Sequence, residues 1–118
     1  MRYRRHETLR YTFETPIPAS FKIIKVDGKK TNTSSGKAHI LDISPGGLKM
    51  ATEMKISLEK PIQFFVETTI SGINLTITAN GIWSKPFGKS HHYGLDFLED
   101  YHEDVVKALK AYKKQRVE

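Results

Sequence analysis

Between Ile73 and Asn80 apolar and polar residues alternate without a break. Ile73, Leu75, Ile77 and Ala79 occupy one parity, and Asn74, Thr76, Thr78 and Asn80 the other. Successive side chains of a strand point to opposite faces, so this spacing predicts a strand with one face in a core and one in water. The strand is read over 73–85, with Gly81 as a bend. Similar short runs predict strands over 19–26, 37–43, 48–52, 61–69 and 91–98. Turn signals separate them: Asp27-Gly28, Ser44-Pro45-Gly46-Gly47, Ser71-Gly72 and Pro86-Phe87-Gly88-Lys89. At Ser44–Gly47, proline at the second position and glycine at the third predict a type II turn, which needs positive φ at Gly46.

After Leu98 the period changes. Val105, Ala108, Leu109 and Tyr112 recur at helical spacing within 100–115. Glu99, Asp100, Glu103 and Asp104 stand at the start of that segment, and Lys107, Lys110, Lys113 and Lys114 towards its end. That order complements the helix macrodipole. Six short strands followed by one helix predict a mostly β fold: a six-stranded antiparallel β-barrel with a C-terminal helix against its wall. With 118 residues, the chain is the size of one domain and can bury roughly two-thirds of its unfolded surface. Residues 1–18, which hold Pro16 and Pro18, are read as an N-terminal arm, and 19–118 as the barrel with its helix. No cysteine is present, so disulfides, thiolate metal sites and a cysteine nucleophile are excluded. The basic start lacks a following apolar segment, and no run approaches a membrane span. The expected location is cytoplasmic.

The formal charge is +6, which favours an anionic partner. Its distribution says more. Of 19 basic residues, 14 are lysines spread along the chain, whereas four of the five arginines (Arg2, Arg4, Arg5 and Arg10) fall in the first ten residues. A guanidinium is a planar fork that pairs with phosphate, stacks on aromatic faces and offers two donors to the O6/N7 edge of guanine. An arm that concentrates arginine fits a ligand needing that fork. An ordinary solvated terminus is the plainer reading.

The second constellation is Asp42-Ile43-Ser44-Pro45-Gly46-Gly47, which ends one predicted strand and opens the next. A carboxylate at 42 can accept from the N1 and N2 donors of guanine, which arginine cannot satisfy. A hydroxyl at 44 can bond phosphate or base, and glycines at 46 and 47 let backbone approach a ligand closely. The same residues are also good generic hairpin chemistry, with Asp42 capping the turn.

Together, the arginine arm, the Asp-x-Ser-x-x-Gly turn, Gly81-Ile82-Trp83 and Tyr93-Gly94-Leu95-Asp96-Phe97 resemble the PilZ family over nearly the whole chain. The resemblance implies a six-stranded barrel with a C-terminal helix that acts as a receptor for the bacterial second messenger cyclic di-GMP. It implies ligand contacts from Arg5 and Arg10, with Arg4 assisting, and from Asp42, Ser44, Gly46 and Gly47. Gly94 and Phe97 would serve barrel packing. The family usually has three residues between its two arginines, whereas Arg5 and Arg10 have four. The implied function is non-enzymatic: the arm orders on the nucleotide and the change is passed to a protein partner. No cofactor besides the ligand is implied.

Two other readings stand beside it. One is a PilZ-like adaptor that has lost nucleotide binding and works through protein contacts. The other is a small barrel that binds single-stranded nucleic acid, which would need lysines and aromatics sharing one strand face, a pattern not evident in the sequence. Trp83, Phe64 and Phe65 are read as core. His91 and His92 would point to opposite faces of a strand and so do not suggest a metal site. Ser44 has no base placed near it in sequence, and Asp42 with Glu7 is not read as a catalytic pair.

Overall fold

The computed structural model describes residues 10–117, with side chains through Gln115. Seven strands and one helix follow in order: β1 (Tyr11–Val26), β2 (Lys29–Lys30), β3 (Gly36–Ser44), β4 (Gly47–Thr52), β5 (Ile62–Ile70), β6 (Ile73–Phe87), β7 (Ser90–Phe97) and α1 (His102–Val117). Six of the strands form a closed antiparallel barrel, β1-β3-β4-β7-β6-β5, sealed by pairing of β5 back onto β1. β2 is an addition to the expected six. It is a two-residue strand that folds back on the end of β1 through Asp27 and Gly28, with φ of 53° and 80°. Ser71 and Gly72, with φ of 50° and 81°, turn β5 into β6 in the same left-handed way. Positive φ at both positions matches the right-handed twist of the joined strands.

The barrel interior follows the alternation. In β5, Ile62, Phe64, Val66, Thr68 and Ile70 are buried while the residues between them are not. Phe21, Ile40, Met50, Ile77, Ala79, Tyr93 and Leu95 meet them inside. The helix contributes Val105, Ala108 and Leu109 to the same core and packs on β5 and β6. Asp100 caps it, its carboxylate accepting the His102 N–H at 2.9 Å. Tyr101 ties the helix entry to the barrel, its hydroxyl accepting the Thr78 N–H at 3.0 Å.

The expected arm is shorter than the sequence suggests, because Tyr11 to Pro18 belong to β1. Pro18 is in register with His39, whereas Pro16 falls in an irregularity between Thr12 and Ile17, where β1 carries several extra residues against β3. Missing N–H groups are tolerated at such interruptions. Two aromatic residues hold this stretch down. Phe13 is buried, and the rings of Tyr11 and Phe13 lie 5.7 and 5.1 Å from that of Tyr112 on α1.

The Ser44–Gly47 turn also differs from expectation. Positive-φ glycines among the described residues are Gly28, Gly72 and Gly88. The Pro45-Gly46 turn therefore closes without the left-handed residue that a type II turn would require.

Candidate functional site

The hairpin of β3 and β4 sets the site's geometry. Its two-residue turn pairs Ser44 with Gly47, Ile43 with Leu48 and Asp42 with Lys49. Below Asp42 the register shifts, because Leu41 is an extra residue between Ile40 and Asp42. Ile40 and Ile43 both face the core, so the bulge turns Asp42 outward instead of inward. On its other side, Asp42 pairs with Thr12 of β1, which brings Arg10 within reach.

The Arg10 guanidinium Nη1 donates to Asp42 Oδ1. Lys49 Nζ stands 3.6 Å from the other carboxylate oxygen. The Asp42 side chain is 8% exposed against 47% for Arg10. A nearly buried carboxylate is thus held between two cations, one of them half in solvent and free to be exchanged for another donor.

Ser44 is fully buried. Its Oγ accepts the Gly46 N–H and donates to the Gly47 carbonyl, both at 3.3 Å. In this conformation the hydroxyl braces the turn and does not face solvent. Gly46 is exposed, and its carbonyl accepts the Phe97 N–H at 2.9 Å. Gly47 is glycine for a packing reason: a Cβ there would lie 2.5 Å from the Leu95 carbonyl oxygen of β7. Of the residues singled out in the sequence, Arg10, Asp42, Ser44, Gly46 and Gly47 come together at one end of the β3–β4 hairpin. Arg4 and Arg5 lie outside the described residues.

The outward row continues across the sheet. Lys49 pairs with Gly94 on β7, and Gly94 with Trp83 on β6. The pyrrole half of the Trp83 indole fills the space above Gly94. Trp83 is 43% exposed, so its expected place in the core is corrected. The cause is a second bulge, between Gly81 and Trp83, where Ile82 is the extra residue. Gly81 still faces inward; a Cβ there would come within 2.9 Å of Phe64. After the bulge the odd positions point outward. Phe64 is buried as expected, and Phe65 is half-buried.

Lys49 was not singled out from the sequence, and Trp83 was read as core, not as part of this outer row. Lys49 was recoverable, because a two-residue turn centred on Pro45-Gly46 makes it the direct neighbour of Asp42. Trp83 was not, because a bulge leaves little trace in composition.

The two histidines diverge. His91 lies by Tyr93, with ring centres 6.4 Å apart, and His92 stacks on Phe87 at 4.6 Å. Partial burial, then the Lys49 and Lys85 charges, hold the His92 imidazole below its ordinary pKa. Tyr93 is shifted upward by burial. Its hydroxyl donates to the Met54 carbonyl at 2.8 Å and accepts the Ile56 N–H at 2.7 Å, so it staples the 53–61 connector to the barrel. No helix among the described residues is long and apolar enough to cross a membrane.

Among solved structures, the crystal structure of the PilZ domain of CeSA from a cellulose-synthesizing bacterium superposes with a TM-score of 0.60. The alignment covers 92% of this chain and 99% of that one at 16% identity. At that identity the likeness is one of fold. No curated protein matches the sequence. The family model for the PilZ domain matches residues 2–115. With that match running over nearly its whole length, the chain belongs to the PilZ domain family.

Proposed function

We propose that the protein is a receptor module for cyclic di-GMP, with the nucleotide held between Arg10 and the Asp42 hairpin. PilZ domains are binding and regulatory modules, and that membership supports a role in binding rather than catalysis. The observation that carries the reading is the approach of Arg10 to Asp42, groups 32 positions apart in sequence that meet on the outer face of the barrel. They are complementary to guanine: the carboxylate accepts from N1 and N2, and the guanidinium donates to O6 and N7 or stacks on the base. Lys49 supplies a further cation for phosphate. Arg4 and Arg5 would close over the ligand from the arm, and Ser44 with Gly46 and Gly47 would hold the turn in shape beneath it.

In this proposal the ligand replaces a contact that already exists. Arg10 must release Asp42, or share it, when guanine binds. Four or five charged hydrogen bonds at ~1.5–3 kcal/mol each, less the cost of ordering the arm, fit roughly micromolar affinity. Ordering of the arm would then alter the surface shown to a protein partner. A cytoplasmic location is part of the same proposal.

The ion pair also favours a second reading. Because Arg10 and Asp42 satisfy each other, the site is stable without ligand, as an adaptor that has lost nucleotide binding would be. Calorimetric titration with cyclic di-GMP, using GTP and an unrelated oligonucleotide as controls, separates the two. Saturable heat with cyclic di-GMP alone supports the receptor. No heat with any of them favours the adaptor.

A further inference from the structure

The outward face of the β6–β7 hairpin beyond Asn80 is used neither by the core nor by the Asp42 site. β5 pairs with β6 only as far as Asn80, so beyond it β6 has β7 as its strand neighbour on one side. Trp83, Lys85 and Phe87 share one parity there, opposite Gly94, His92 and Ser90. Both aromatic residues are open to solvent, Trp83 at 43% and Phe87 at 65%. Both rings pack against neighbours on this face. Phe87 stacks on His92 with an interplanar angle of 26°, and the indole covers Gly94. Each nevertheless keeps a large part of its surface open to solvent.

Lys85 sits between the two rings on β6, and Lys49 adjoins Gly94 on β4. Trp83 and Phe87 are four residues apart, about 13 Å along a strand. Flat aromatic faces alternating with cations suit a polymer that alternates planar bases with phosphates. Each base has a face to stack, and each phosphate needs only a point charge. Other partners fit less well. A lipid surface is met by a broad apolar face set apart from the charges, whereas here lysines stand between and beside the two rings. An added strand is disfavoured by Pro86, which removes a backbone donor from this stretch.

We propose that this face binds single-stranded nucleic acid, with bases stacked on Trp83 and on the Phe87–His92 pair and phosphates on Lys85 and Lys49. The proposal does not rest on the cyclic di-GMP reading, although Lys49 is assigned a phosphate in both. His92 suits its part because partial burial, then the neighbouring lysines, favours its neutral ring, which stacks on Phe87 without adding to their repulsion.

Trp83 is the chain's one tryptophan, so its fluorescence reports the site directly. A short oligothymidylate should quench it saturably. Anisotropy of a labelled oligonucleotide should show about tenfold weaker binding for Phe87→Ala and for Trp83→Ala, both of which leave net charge unchanged. Lys85→Ala should weaken binding and reduce its salt dependence. Arg10→Ala should bind the oligonucleotide with at most a small loss while losing cyclic di-GMP, which keeps the two sites distinguishable. Phe87 is largely exposed, so its truncation leaves the core intact. Absence of quenching would overturn the proposal. So would equal affinity of the aromatic variants and wild type, which would mean unspecific phosphate attraction. A blue shift with phosphatidylglycerol vesicles and no response to the oligonucleotide would assign the face to a membrane surface instead.

Discussion

The Trp83 indole and Gly94 occupy one space: a Cβ at position 94 would lie 2.1 Å from Nε1 and 2.3 Å from Cε2 of the ring. The glycine on β7 and the tryptophan on β6 are therefore two halves of one packing solution, although 11 positions separate them in sequence. Gly94→Ala should expel the indole. Overpacking costs about 1–3 kcal/mol, and the low end applies because the half-exposed ring can swing into solvent. In the double variant with Trp83→Ala the alanine should cost much less. Urea unfolding of both single variants and the pair measures this coupling.

Tyr93 fastens the 53–61 connector through two hydrogen bonds made by one hydroxyl. Tyr93→Phe should lose about 1–3 kcal/mol, because the Ile56 N–H and the Met54 carbonyl are left without that partner. A lower urea midpoint with an unchanged m-value would show it. The raised pKa adds a pH signature. The unfolded tyrosine ionises near its ordinary value of about 10 and the folded one later, so stability is full below that pH and falls above it. In Tyr93→Phe that alkaline loss should shrink.

Arg10 and Asp42 should matter more for ligand than for folding. Arg10 is half in solvent, and Lys49 stays beside the nearly buried carboxylate when the arginine is removed, so its loss should cost about 1 kcal/mol or less. Arg10→Ala should leave thermal stability nearly unchanged. Titration calorimetry of Arg10→Ala and Asp42→Ala should nevertheless show cyclic di-GMP binding weakened at least about tenfold, a loss of ~1.4 kcal/mol. Unchanged affinity in both would remove these residues from the proposed site.

His92 gives an acid-side test. Its folded pKa is depressed, so between the unfolded and folded values the unfolded chain binds more protons. Stability should therefore be full above about pH 6.5 and decline as pH falls through the folded value. Histidine NMR titration should place the His92 midpoint below that of a free imidazole, and His92→Gln should flatten the acid limb. Lys49→Gln and Lys85→Gln should each raise the midpoint.

Much of the barrel was readable because its forces are local. The alternation from Ile73 to Ala79 fixes which face of β6 enters the core. The Pro45-Gly46 turn fixes the pairing of β3 with β4, and the spacing of Val105, Ala108, Leu109 and Tyr112 fixes the helix. What escaped depends on single inserted residues and distant pairing. Leu41 and Ile82 each add one residue to a strand, which reverses parity and carries Asp42 and Trp83 to the outer face. Read without the bulges, the same parity places Trp83 in the core. Pro16 and Pro18 argue against a strand locally, yet Tyr11 to Pro18 join β1 because Phe13 buries its ring against Tyr112 and β3 offers an edge. The Arg10–Asp42 contact depends on that placement, which no local pattern declares.

The cluster of Tyr11, Phe13 and Tyr112 knots the beginning of β1 to the last turns of α1. Any domain attached upstream or downstream of this barrel would thus leave it from one shared corner, beside Arg10. A fusion at either end would therefore adjoin the ligand site proposed at Arg10 and Asp42.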